Sequence, residues 1–204
     1  VTAVERATQC MDDLRTTAES HDRLLVVECM GRHTGWIAAY SGVAAAAESI
    51  LVPERPVQID SLCEKLQRLQ ASGERAAIVS VAEGTRVFDG ETCLPSTERD
   101  EFGELCVGGV GNLLAQQIQQ RVGWESRALV LGHLQRAGAP LAFDRILALR
   151  YGARAARLVL EGRFGRMAAM VLGFSSSRGV EKCAIQASCT PWSCSWSNSS
   201  SMRS

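Results

Sequence analysis

Six polar side chains stand where apolar runs give way to turns: Arg23, Arg32, Glu83, Arg127, His133 and Arg136. A guanidinium keeps its charge at any working pH, and its planar fork of donors grips a phosphate or carboxylate two-pronged. A carboxylate accepts hydrogen bonds from sugar hydroxyls, and an imidazole can donate or accept. Four arginines, one histidine and one glutamate therefore suit a phosphorylated polyol, with the arginines on the phosphate and Glu83 on the hydroxyls. Each charge-assisted bond contributes about 1.5–3 kcal/mol, so two or three such bonds carry micromolar binding. Taken singly, each residue is better explained as a surface group. The expectation is that they lie together at one edge of a sheet.

The elements that must hold them can be read from periodicity. Residues 24–29 (LLVVEC) form a buried-strand pattern that runs into Met30-Gly31-Arg32 and then into a small-residue helix over 36–47. Strand, tight turn and helix is where α/β proteins place ligands, because backbone amides and a helix N-terminus converge there. The plain alternative is an ordinary turn with a solvated arginine. A second apolar run, 76–82 (AAIVSVA), leads into Glu83-Gly84, and a third, 127–131 (RALVL), leads into Gly132-His133-Leu134-Gln135-Arg136. A short strand over 50–53, closed by proline, adds a fourth. Between them, residues 2–20, 57–69, 112–121 and 144–160 repeat apolar residues at helical spacing. The polar, Gly-containing stretch 85–104 reads as a loop, and Gly108-Gly109-Val110-Gly111 as close packing and turn geometry at a helix entry. Helix alternating with strand predicts a parallel, Rossmann-like α/β sheet in a three-layer sandwich.

Composition sets the limits. The 204 residues are 46% hydrophobic and 22% charged, with a net charge of zero, so nothing global draws the chain to nucleic acid or to a membrane surface. No apolar run reaches the roughly 18 residues of a membrane span, which makes a cytoplasmic protein the expectation. Of eight cysteines, Cys10, Cys29, Cys63, Cys93 and Cys106 are widely spaced without CxxC pairs and read as small buried or half-buried thiols; no metal site is expected. Cys183, Cys189 and Cys194 fall in a Ser- and Trp-rich tail from 173 onward that shows no period and is expected to be disordered or non-native sequence, as a shifted reading frame produces. The helix that opens at residue 2 has no capping sequence before it, so the chain is expected to begin mid-element.

VVECMGRHTGW at 26–36, AEG at 82–84 and LGHLQRAGAPLAFDRILALRYGARA at 131–155 resemble the 6-phosphofructokinase family, particularly the bacterial enzymes. The resemblance runs over about residues 1–170. It implies a two-domain α/β enzyme with its site in the cleft, assembled as a homodimer or homotetramer in which neighbouring subunits complete each sugar-phosphate site. By position, Met30, Gly31 and Arg32 resemble the turn that contacts fructose 6-phosphate, and Glu83 the carboxylate on its hydroxyls. His133 and Arg136 resemble the pair on its 6-phosphate. Arg23 and Arg127 resemble two arginines that reach across to a neighbour's sugar phosphate, and Arg15 a residue of the allosteric effector site. Where the family commonly has two glycines, this chain has Ala137-Gly138, and the extra methyl is expected to tighten the turn or tilt Arg136.

The family's Gly-rich nucleotide loop, its magnesium ligands and its catalytic aspartate have no counterpart in these motifs. No catalytic residue is therefore assigned, and the sites for Mg2+ and for ATP or pyrophosphate are not expected in this chain. The leading expectation is a phosphofructokinase fragment, inactive alone. It comprises a sugar-phosphate domain over 1–134 and a return segment over 135–172 whose helix presents an apolar face to a missing nucleotide domain. The alternative is a non-catalytic fructose-6-phosphate-binding or regulatory subunit that joins an intact oligomer; an unrelated phosphosugar-binding α/β domain is the third reading.

Overall fold

The computed structural model describes residues 1–94 and 109–169, together with the backbone of 185–187. Cys106 and Gly108 lie outside the described residues, as do Cys183, Cys189 and Cys194. The chain forms two compact units, Val1–Ala139 and Pro140–Ser204, so the division falls after Ala139 where the sequence suggested 134.

The first unit is built on four parallel strands, β1 (Leu24–Cys29), β2 (Ser49–Leu51), β4 (Ala77–Ala82) and β7 (Ser126–Val130), in the order β2-β4-β1-β7. Helices α1 (Thr2–Ser20) and α2 (Trp36–Ala44) cover one face, and α3 (Ile59–Ala71) and α4 (Val110–Val122) the other. Every residue of β1 and of β4 is buried, which is why both read as unbroken apolar runs. Side chains of a strand alternate between faces. Leu24, Val26, Val79 and Val81 accordingly pack with Ile59, Leu66, Leu114 and Ile118, while Val27, Cys29 and Ile78 pack with Ala7, Met11 and Ala38. Full burial of such a side chain stabilises by about 1.5–3 kcal/mol.

Two connections decide where a ligand can sit. From β1 the chain crosses over through α2 to β2, and from its neighbour β4 it crosses through α4 to β7 on the opposite face. Adjacent strands whose connections leave to opposite faces open a crevice at their carboxyl ends. The register Cys29↔Ala82 sets the residues that follow, Met30 and Glu83, side by side at that crevice.

The structure differs from the sequence reading at three short strands. Val57–Gln58 is a strand (β3), not the first turn of α3, and β5 (Val87–Asp89) and β6 (Thr92–Cys93) interrupt the stretch expected to be a loop. Together they form a small sheet in the order β3-β5-β6. Two or three residues are too few to display an alternation.

In the second unit, α5 (Ala142–Leu160) exposes Phe143, Ile146, Leu149 and Leu160 and buries Leu158. A strand β8 (Arg166–Ala168) pairs antiparallel with β9 (Ile185–Ala187), so three residues of the tail expected to be disordered are strand. No helix among the described residues is long and apolar enough to cross a membrane.

Candidate functional site

A cleft of about 420 Å³ opens at the carboxyl ends of β1, β4 and β7. Met30, Gly31, Arg32, Glu83, Gln135 and Arg136 line it, with Ala3 of α1 and Ile37 of α2 as apolar wall. Its first component is an interlock between two turns. The Glu83 amide donates to the Cys29 carbonyl (2.9 Å), extending the β1–β4 ladder by one bond, and the Gly31 amide donates to Glu83 Oε1 (3.1 Å). A Cβ on Gly84 would stand 1.9 Å from the Arg32 carbonyl oxygen, and one on Gly31 2.3 Å from the Thr34 oxygen. Neither position tolerates a side chain. Gly31 also adopts φ +148°, which L residues rarely take. The sequence motifs MGR and AEG are thus two halves of one device that holds Arg32 and the Glu83 carboxylate at the same opening.

The second component comes from β7. The Leu131 amide donates to the Glu28 carbonyl (3.0 Å), which carries the chain past the end of β1 into a 3-10 helix, Gly132–Arg136. In such a helix residues three apart eclipse one another, so His133 and Arg136 share a face. Both are exposed, and of the two only Arg136 lines the cleft. Ala137 has φ −83° and ψ 161°, an extended conformation open to any residue, so its methyl does not tighten the turn. The demanding position is Gly138, with φ +81° and the Arg6 guanidinium where a Cβ would be.

Arg23 and Arg127 do not join this group, contrary to the expectation of one shared sheet edge. Arg23 precedes β1, and Arg127 is registered with Leu25, so both sit at the amino edge of the sheet. The length of β1, six residues at about 3.3 Å each, separates them from the cleft. There both contact one carboxylate, Glu125 Oε1, at 2.9 Å and 3.1 Å. Arg15 is likewise engaged away from the cleft, donating to Glu48 (3.0 Å) and to the Ala45 and Ala46 carbonyls (2.9 Å each).

Three residues that matter here were missed in the sequence. Gln135 is buried and bridges the strand ends, accepting from the Met30 amide (3.3 Å) and donating to the Gly132 carbonyl (3.2 Å). Glu28, buried as the last residue but one of β1, accepts from the Gly109 amide (3.1 Å) and the Gly111 amide (2.7 Å) and so satisfies the N-terminus of α4. Glu54 accepts from the Gly35 amide at 2.9 Å and 3.1 Å, so the positive end of α2 is already met by the chain's own carboxylate. A bound anion must therefore be held by side chains and the Met30–Arg32 turn. The only polar signal for Glu28 and Gln135 was a hydrophilic residue inside or just after an apolar run.

The site carries two guanidiniums and one carboxylate. Glu83 Oε1 is occupied by the Gly31 amide, and among the described residues its Oε2 has no hydrogen-bond partner, leaving it to accept from a hydroxyl. The arrangement binds and orients an anionic polyol. Among the described residues no group of three or more His, Cys, Asp or Glu side chains is placed to hold a metal ion.

Comparison with known proteins adds the following. The model of the phosphofructokinase family matches residues 1–159. The pyrophosphate–fructose 6-phosphate 1-phosphotransferase of Amycolatopsis methanolica is 50% identical over 169 residues, which cover 83% of this chain and 49% of that protein. The ATP-dependent 6-phosphofructokinase 3 of Streptomyces coelicolor is 46% identical over 169 residues, covering 83% and 50% respectively. Among solved structures, the phosphofructokinase of Saccharomyces cerevisiae superposes with a TM-score of 0.63 at 35% identity, over 78% of this chain and 20% of that one. The chain spans about half the length of the curated relatives it matches.

Proposed function

The chain belongs to the phosphofructokinase family, and on that premise we propose that its cleft is the fructose 6-phosphate half of a phosphofructokinase site. The observation that carries this reading is the convergence of the Met30–Arg32 turn, Glu83 and Arg136 at the ends of three adjacent strands. Arg136 and His133 on one face of the 3-10 helix hold the 6-phosphate, Arg32 and the turn hold the sugar, and Glu83 Oε2 accepts from its hydroxyls. The reaction served is phosphoryl transfer from ATP or pyrophosphate, the donors named among its relatives, to the 1-hydroxyl of fructose 6-phosphate. Such catalysis is chiefly positioning and charge stabilisation.

This chain supplies the sugar grip and not the chemistry. The motifs for the nucleotide loop, the metal ligands and the proton-accepting aspartate lie elsewhere in the family's architecture, so the 204-residue chain alone is inactive. The exposed apolar face of α5 fits contact with that other domain. Arg23 and Arg127 meet on the Glu125 carboxylate at the far edge, and this pair of guanidiniums is the part of the chain that would reach the phosphate of a neighbouring subunit in a homodimer or homotetramer.

Calorimetric titration of the chain with fructose 6-phosphate tests the reading. Micromolar binding that Arg136→Ala weakens about tenfold or more is the expected result. Binding that is indifferent to Arg136, or turnover by the isolated chain, would overturn it.

A further inference from the structure

We propose that Arg6 is a further phosphate-binding residue of the cleft, a second guanidinium acting beside Arg136; the inference rests on the fructose 6-phosphate reading and refines it. Arg6 lies on α1 one turn after Ala3, which walls the cleft, and residues three apart on a helix share a face. Its half-buried side chain reaches the turn that follows the 3-10 helix. Against a Cβ built on Gly138, Arg6 Nη2 would stand at 2.1 Å, Cζ at 2.8 Å and Nε at 3.2 Å. The guanidinium itself, not the aliphatic stem, therefore rests on the backbone two residues beyond Arg136. Two residues of chain span about 7 Å, within the joint reach of two arginine side chains.

Two like charges brought to one turn repel unless an anion lies between them. Gly138 supplies the room, since any side chain there would displace the guanidinium. A phosphate seated on Arg136 at the mouth of the cleft would be met by Arg6 from α1, tying that helix to ligand binding. Because a sugar phosphate acquires its second negative charge near pH 6, a pair of guanidiniums makes the cleft select the dianion over the monoanion more strongly than one would.

The experiment is calorimetric titration of the full chain and of Arg6→Ala, Arg6→Lys, Arg136→Ala and the double alanine variant with fructose 6-phosphate at pH 5.5 and 7.5, with thermal unfolding as a control on each. The expected result is a loss of about tenfold for Arg6→Ala at pH 7.5, partial recovery in Arg6→Lys and a smaller loss at pH 5.5. The double variant should lose less than the product of the single losses, because both residues hold one group. Undiminished affinity in Arg6→Ala with Arg136→Ala still weakened would overturn the role of Arg6 and leave the wider reading standing. An Arg6→Ala loss equal at both pH values and unrelieved by lysine would also overturn it, marking a structural residue. No binding by the parent chain would overturn both.

Discussion

Gly84→Ala is the sharpest perturbation of the cleft, because it adds one methyl and removes nothing. A Cβ at Gly84 would lie 1.9 Å from the Arg32 carbonyl oxygen and 2.8 Å from its carbon, where real Cβ atoms keep at least 3.0 Å. The obstacle is backbone, which cannot rotate aside, so Arg32 must retreat by about 1.1 Å or Glu83 must swing the other way. Either movement breaks the 3.1 Å bond between the Gly31 amide and Glu83 Oε1 and misdirects both side chains. Overpacking of this kind costs about 1–3 kcal/mol of stability. Loss of one or two charge-assisted contacts to the ligand costs affinity by about tenfold to a hundredfold. Titration calorimetry with fructose 6-phosphate, beside a thermal melt of the same sample, measures both. Gly152→Ala in α5 is the control: nothing lies within 4 Å of its Cβ, so it should leave binding unchanged and stabilise the helix by roughly 1 kcal/mol. A folded Gly84→Ala protein that binds within twofold of the parent would refute the interlock.

Arg23→Ala and Arg127→Ala should leave fructose 6-phosphate binding by the isolated chain unchanged, since both side chains meet Glu125 at the opposite sheet edge; a tenfold loss in either would contradict that placement. Burial raises the Cys29 thiol from its ordinary range to about 11. In the unfolded chain that thiol ionises near pH 9 while the folded protein keeps its proton, so stability declines as pH rises from about 9 to 11, by about 1.4 kcal/mol per unit. Denaturant unfolding across this window measures the slope. Cys29→Ala should flatten it by that amount, and an unchanged slope would show that another group is responsible.

The strands and their site turns were legible for a shared reason. Leu24–Cys29 and Ala77–Ala82 are covered on both faces, so each shows as an apolar run, and the polar residues just beyond mark the ligand edge. Arg32, Glu83 and Arg136 were found in that way. The same rule misplaced Arg23 and Arg127, because a polar residue at either end of a run looks alike in sequence while a parallel sheet sends the two ends to opposite edges. Gln135 and Glu28 were illegible for another reason. A buried polar side chain is explained by the backbone group it satisfies; the Met30 amide that binds Gln135 to β1 lies 105 residues away, and the partners of Glu28 lie 81 and 83 away. Glu54 is closer to its partner, which lies 19 residues earlier, but no helix period reports it.

An apolar strand repeats its pattern every second residue, so β1 slid by two positions would still direct its branched side chains to the correct layers. Hydrophobicity alone cannot distinguish the two pairings. Glu28 can: the slip would carry its carboxylate about 6.6 Å from the Gly109 and Gly111 amides. An ion stranded in the core without its partners costs about 3–5 kcal/mol, a large fraction of the stability of a domain this size. The one charged residue in the central strand thus acts as a key that admits a single alignment. It is that alignment which brings Met30 level with Glu83 on one side and Gly132 on the other.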